Sequence, residues 1–462
     1  MKAGNQQTFH TEFINMSVTS TSTLREKDKA HHLHPFTNNA DMHESGYAHI
    51  IIEAKGVYVY DDKGNELLDG LAGLWCVNMG YGRKEITEAV TKQMEKLCYY
   101  PSFFNSTTEP TVKLAEKLYE LGLPRLTHTI FSNSGSGANE TAIKTIRNYW
   151  ELKGQTQRTK LMSRSYSYHG VTLGATCLTG LSSCTKPFGL PTVGFVQVPG
   201  PYHYVSDTEL SPEEFGKKCL EETERIILKE GPETIAAIFV EPIQGAGGVI
   251  IPPEGYLKGL RELIRKYGIL YVSDEVITGF GRTGAMYASE EWDLDPDIQC
   301  LAKGITSGYI PLGATRISSE IAETLFAGGY YAHGHPYSGH PVPCAAALAN
   351  IELMEKENII AYVKNDIGPY FQEKLLAFKE HPAVGSTRCK NLMGAMELLD
   401  NGKKVTDPYI GLGPKAAALI RENGVIVRGL ANLIAISPPL TITRKEVDKL
   451  FDAVKAGLDK MI

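Results

Sequence analysis

Between about residues 125 and 315, short apolar runs alternate with helical stretches, and this rhythm restricts the fold more than any other feature of the chain. The runs are Thr127–Phe131, Thr159–Met162, Val193–Val198, Ile235–Val240, Ile269–Val272 and Ile298–Ala302. Charged stretches with helical spacing, such as Glu213–Lys229 and Glu254–Tyr267, lie between several of them. Strand–helix alternation requires a largely parallel sheet covered on both faces, because each strand must cross over before it pairs again. The expected class is therefore α/β with a mostly parallel sheet.

The flanking segments have a different texture. Ile50–Ile52 and Val57–Tyr60 read as strands, Asp61–Asn65 as a turn, and Glu85–Leu97 as a helix. Beyond Pro343, an Ala-rich helix at Cys344–Glu355 leads into charged helices and the strands Leu392–Leu398, Val425–Val427 and Leu433–Ala435. The chain thus divides into a flexible tail (1–30), an N-terminal segment of a small domain (31–100), a large domain (101–340) and the rest of a small α+β domain (341–462).

Charge and composition exclude several classes. The 47 Lys and Arg against 53 Asp and Glu leave a net charge of −6, with no basic stripe for nucleic acid. No run of about 20 apolar residues offers a membrane-spanning helix. The start lacks the basic and apolar regions of a signal peptide. Ser17–Thr23 is rich in Ser and Thr, but scarce Arg and the acidic Glu12 disfavour a transit peptide. Eight cysteines without a CxxC pair read as reduced thiols, so a cytoplasmic protein is expected.

Several chemically capable residues fall just past the carboxyl end of an apolar run. Ser134-Gly135-Ser136 follows Thr129–Phe131, Glu241 follows Ile235–Val240, Asp274 follows Ile269–Ser273, and Lys303 follows Ile298–Ala302. Ligands of open parallel sheets bind outside those ends. Ser134–Ser136 can form a phosphate cup where backbone N–H groups meet a helix N-terminus; the alternative is a plain turn. Asp274 can pair with a protonated ring nitrogen. At ~4 Å and an effective dielectric of ~20 that pair is worth roughly 4 kcal/mol before desolvation. A helix N-cap is the other reading of Asp274. A desolvated Lys303 is a nucleophile toward an aldehyde; otherwise it is a surface lysine packed on the sheet. Tyr168-His169-Gly170 can stack on a planar ring or serve as an ordinary loop. Phosphate cup, ring stacker, carboxylate and amine together are the four requirements of pyridoxal 5′-phosphate (PLP).

From about His31 onward the chain resembles the class III, fold type I PLP-dependent aminotransferases, within them the ω-amino acid or amine:pyruvate group. The resemblance is carried by Gly73-Leu74-Trp75, Val77–Lys84, Asn133–Glu140, Tyr168-His169-Gly170 and Glu241–Gly248. Asp274–Gly284, Leu301–Gly304, Ser338–Pro341 and Val427-Arg428-Gly429 complete it. The family's roles fall here on Lys303 as the Schiff-base lysine and proton shuttle, and on Asp274 as partner of the pyridine nitrogen. Tyr168 and Val276 cover the two ring faces, with His169 beside them. Ser134, Gly135 and Ser136 hold the phosphate, and Glu241 orients the site near the ring hydroxyl. Tyr337 and Ser338 are further cofactor contacts. Trp75 and Tyr168 wall the substrate pocket, with Phe103 and Phe104 as neighbours, and Arg428 binds the keto-acid carboxylate as a bidentate partner. The resemblance implies ping-pong transfer of an amino group from an ω-amino acid, diamine or primary amine to a keto acid such as pyruvate. It also implies a homodimer with shared active sites, with a tetramer left open. A decarboxylating transaminase, an aminomutase, a phospho-lyase and a non-catalytic PLP-fold protein remain alternatives. Neither His31, His32 and His34 nor His333, His335 and His340 show the spacing and acidic company of a zinc site, so no metal is expected.

Two positions depart from the family pattern. Relatives often carry Glu at the position of Gly137, so a negative charge is absent from the first helical turn. Many relatives also carry a threonine, reaching the partner's cofactor phosphate, where this chain has Pro336. Proline offers neither hydroxyl nor N–H. Replacing Pro336 by Thr is expected to slow PLP release from the loaded enzyme; an unchanged off-rate would count against this assignment.

Overall fold

A computed structural model describes residues 21–462 except 47, 207, 406, 408 and 409. The chain divides into two compact units, residues 1–54 with 58–67 and residues 55–57 with 68–462. No described helix is long and apolar enough to cross a membrane.

In the first unit, residues 1–20 of the expected tail lie outside the described residues, whereas Thr21–His31 is a helix. The helix has an anchor that the local sequence does not reveal: Arg25 Nη2 donates to Asp62 Oδ1 at 2.8 Å. Asp28 near its end gathers two imidazoles, His32 Nδ1 at 2.9 Å and His34 Nε2 at 2.8 Å. These three side chains place potential ligand atoms within 4.8 Å of one another. Asp28 thus supplies acidic company that the histidine spacing alone did not show. Tyr58–Asp61 enters a turn in which Asp61 Oδ1 accepts the N–H groups of Lys63 (3.0 Å) and Asn65 (2.9 Å).

The second unit holds a seven-stranded sheet. Its strands are β1 (Leu126–Ser132), β2 (Lys160–Arg164), β3 (Phe195–Val198), β4 (Ile235–Val240), β5 (Leu270–Asp274), β6 (Ile298–Leu301) and β7 (Gly313–Ser318), in the order β1-β7-β6-β5-β4-β2-β3. All the alternating apolar runs are strands, within a few residues at their ends. β4 is buried at every position, as a strand covered on both faces must be. Phe239 and Val272 pack on one face with Ala138, Ile146 and Trp150 of the helix α1 (Gly135–Leu152). Ile238, Val240 and Tyr271 pack on the other with Tyr256, Leu260 and Ile264.

β7 is absent from the sequence reading. It runs antiparallel between β1 and β6. Its pattern hides it, because Thr315, Arg316 and Ser318 are polar yet buried. Arg316 is compensated inside the fold, donating to Gln299 Oε1 at 2.9 Å and to the Gly122 carbonyl at 2.8 Å. Since β7 reverses, β1 points the same way as β6, and the carboxyl ends of β1, β2, β4, β5 and β6 share one edge of the sheet.

Further along, Val384–Lys390, Met393–Asp400, Leu433–Ile436 and Arg428–Leu430 form an antiparallel sheet. Val384–Lys390, a half-buried edge strand, also escapes the sequence pattern. Val425–Ile426 pairs in parallel with Leu68–Asp69.

Ile238 is fully buried in the middle of β4. Ile238→Ala is expected to cost about 2–5 kcal/mol, read as a lower denaturant midpoint with an unchanged slope. A wild-type midpoint would contradict its placement.

Candidate active site

The shared carboxyl edge collects the residues singled out by position. Ser134-Gly135-Ser136, Tyr168-His169, Glu241, Asp274, Val276 and Lys303 line one cavity of about 150 Å³.

At one end, Ser134 caps α1, its Oγ accepting the Gly137 N–H at 3.0 Å. Gly135 and Ser136 head the helix, where N–H groups have no intrahelical acceptor. No acidic residue lies in the first turn, so the positive end of the helix dipole is not offset there. Gly135 is required sterically, because a Cβ at this position would lie 2.9 Å from Val276 Cγ1. Ser136 Oγ accepts the Val171 N–H at 3.0 Å, tying the cup to the loop after β2.

Tyr168 sits on that loop, its N–H donating to Glu241 Oε1 at 2.9 Å. Glu241 Oε2 accepts the Gly245 N–H at 3.0 Å. Both carboxylate oxygens are thus fixed by backbone, and burial pushes the Glu241 pKa up. Asp274 ends β5 with 4% exposure. Its Oδ2 accepts His169 Nδ1 at 2.7 Å and Asn139 Nδ2 at 2.8 Å. Its Oδ1 accepts the Val276 N–H at 3.1 Å. It closes a local turn rather than capping a helix.

Lys303 follows β6 with φ of 48°, a left-handed conformation that costs a non-glycine residue about 1–3 kcal/mol and persists where surrounding packing enforces it. Lys303 is half-buried, and desolvation lowers its pKa. Nζ lies 5.6 Å from the centroid of the Trp75 ring. Trp75 is 3% exposed and packs with Ile243 and Ile277, which continue the wall as apolar surface. Arg428 begins a strand of the antiparallel sheet and is partly buried. Burial lowers its pKa, with Tyr168 and Cys184 as electrostatic neighbours. Lys303 also feels its charge.

Four expected residues lie elsewhere. Tyr337 and Ser338 do not line the Lys303 cavity. Ser338 Oγ accepts the His335 N–H at 3.0 Å, and the Pro336 carbonyl accepts Tyr99 OH at 2.7 Å. Phe103 and Phe104 line a separate groove of about 830 Å³ with Tyr330–Gly334 and Ser338, not the neighbourhood of Trp75. The loops carrying these residues fold on each other: Tyr99 lies edge-on to Tyr337 and tilted against His340, and Phe103 lies edge-on to Phe104. Conversely, Asn139, Ile243 and Ile277 line the cavity and were missed. The signal for Asn139 was an amide on a helix face otherwise built of Ala138, Ala142 and Ile146.

These residues fit PLP. His169 Nε2 and Asn139 Oδ1, both on cavity-lining residues, are buried without a partner, and such atoms are rare unless something unseen satisfies them. The donor set comprises helix N–H groups and hydroxyls at one end, an aromatic and a branched aliphatic residue, a buried carboxylate and a desolvated amine.

Residues 40–458 match the family Aminotransferase class-III. A putrescine–pyruvate aminotransferase of Pseudomonas aeruginosa is 41% identical over 97% of this chain and 98% of its own. A diaminobutyrate–2-oxoglutarate transaminase of Halomonas elongata is 36% identical over 96% and 97%. The crystal structure of a thermostable (S)-enantioselective ω-transaminase from Thermomicrobium roseum superposes with a TM-score of 0.92 at 44% identity, covering 96% of this chain and 99% of that one. The chain belongs to the class III aminotransferases and has the fold type I architecture. It is a PLP-dependent enzyme that transfers an amino group from an amine to a keto acid.

The neutral amine of Lys303 is the form that attacks an aldehyde. Burial holds its pKa below the usual 10.5, so the reactive fraction grows as pH rises and saturates earlier than for a free lysine. The rate of PLP capture by apoprotein, followed by absorbance, is expected to rise with pH and level off below 10.5. A rate still climbing beyond that value would contradict the burial.

Proposed function

We propose that the amino donor is a diamine, ω-amino acid or other primary amine and that the acceptor is pyruvate. The observation that carries this reading is Arg428, partly buried and within electrostatic reach of both Lys303 and Tyr168. A half-buried guanidinium in reach of the lysine suits a keto-acid carboxylate, which it can bind through two parallel hydrogen bonds. Trp75, Ile243 and Ile277 suit the methylene chain of an amine. The putrescine–pyruvate relative joins the same two substrate classes.

When bound, PLP supplies an electrophilic carbon for the amine and a ring that takes up the electron pair released at the substrate Cα. The protein supplies the rest. Ser134, Gly135 and Ser136 would hold the phosphate, and Tyr168 and Val276 would hold the ring. Asp274 keeps the ring nitrogen protonated. Glu241 secures the Tyr168 loop and borders the ring hydroxyl. Lys303 Nζ would take up and give back the proton exchanged at the substrate Cα; its lowered pKa suits it to act as a base. Arg428 anchors the acceptor carboxylate in the second half of the cycle.

The enzyme functions as a homodimer. The Pro336–Ser338 loop, which does not reach its own cavity, serves the partner's phosphate site, and the Phe103–Phe104 groove is covered by the second copy. The eight unpaired cysteines accord with a reducing cytoplasm.

The test is the visible spectrum of the PLP-loaded enzyme, first with putrescine and then with pyruvate. Bleaching by the diamine and recovery with pyruvate are expected. Lys303→Ala should abolish both while the protein still folds. Arg428→Ala should raise the pyruvate KM and spare the diamine half-reaction. A band that no amine moves would overturn the transaminase reading and bring forward the lyase and aminomutase chemistries.

A further inference from the structure

We infer that Asn139 is a positioning residue that sets the spacing between the phosphate cup, the ring-stacking loop and the carboxylate Asp274. The inference rests on the assignment of this cavity to PLP.

Asn139 lies in the second turn of α1, the helix whose first residues form the cup. It is 1% exposed. Its single Nδ2 donates twice, to Asp274 Oδ2 at 2.8 Å and to the His169 carbonyl at 2.7 Å. An amide NH2 has two hydrogens, so both are committed. Rotating the amide by half a turn would set Oδ1 against a carboxylate oxygen and a carbonyl oxygen, two repulsive contacts in a site shielded from water. The orientation is therefore fixed by the network. One side chain thus links the three segments that handle the cofactor: α1 at the phosphate, the Tyr168–His169 loop at the ring face and β5 at the ring nitrogen.

The link also decides which carboxylate oxygen is available. Oδ2 receives His169 Nδ1 and Asn139 Nδ2, whereas Oδ1 receives one longer bond from the Val276 N–H. Oδ1 has accepting capacity left, and we assign it to the ring nitrogen. Removing the Asn139 amide frees the carboxylate to rotate and unties the loop that carries Tyr168. A buried charge losing one of its donors is penalised more than a neutral group.

Asn139→Leu keeps the branching and the number of side-chain heavy atoms and removes the donor. Two readouts separate positioning from packing: the PLP dissociation constant, from titration of apoprotein, and the pH at which the visible band of bound cofactor titrates. The titratable groups facing Asp274 are His169, Tyr168, Glu241, Cys300 and Lys303; the variant leaves all of them in place. Weakening of PLP binding by roughly tenfold is expected, together with a shifted band titration. Asn139→Ala, which keeps α1 and leaves room for water, should fall between wild type and Asn139→Leu, and it replaces Asn139→Leu if that variant does not fold. A folded variant with wild-type PLP affinity and an unshifted titration would overturn the inference. Failure of the wild-type protein to form a visible band with PLP would instead overturn the assignment of the cavity.

Discussion

An ionised carboxylate at the end of a fully buried strand is costly unless it is held and paired, and much of the active site follows from how Asp274 is supported. Burying an isolated charge costs far more than one surface salt bridge returns. Here the charge is held by His169, Asn139 and a backbone N–H. Those partners come from the loop after β2, from α1 and from its own turn. Satisfying one carboxylate therefore draws three segments to the same point and leaves one oxygen with a single, longer bond.

The sheet makes this convergence possible. Parallel strands deliver their carboxyl ends to one edge, and the reversed β7 lets β1 join that edge although it pairs with neither β5 nor β6 directly. Lys303 arrives at the same place with a left-handed backbone and a desolvated amine. Burial has opposite effects on the two kinds of buried group. It lowers the lysine pKa and raises that of Glu241, because each time the charged form is disfavoured. A lysine held nearer to neutrality is suited to attack a carbonyl and to carry protons afterwards.

What the sequence revealed followed physical rules. Apolar runs such as Ile235–Val240 announced strands because a strand covered on both faces buries most of its side chains. Asp274 and Lys303 stood out because a charged residue directly after such a run is expensive without a purpose. β7 was not legible, since Arg316 is compensated by Gln299 and a distant carbonyl that no local pattern reveals. Asn139 was hidden for the same reason: its partners lie 30 and 135 positions away in sequence. Tyr337 and Ser338 were placed by resemblance, which does not distinguish a residue serving its own cavity from one serving a partner's. The loop around Pro336 is tied instead to Tyr99.

The proposed chemistry requires Lys303, among all the lysines of the chain, to bond the cofactor. Borohydride reduction of the PLP-loaded enzyme followed by peptide mapping tests it most directly. A single pyridoxyl adduct on the peptide containing Lys303 is expected. An adduct on another lysine, or none in a protein that shows the visible band, would contradict it.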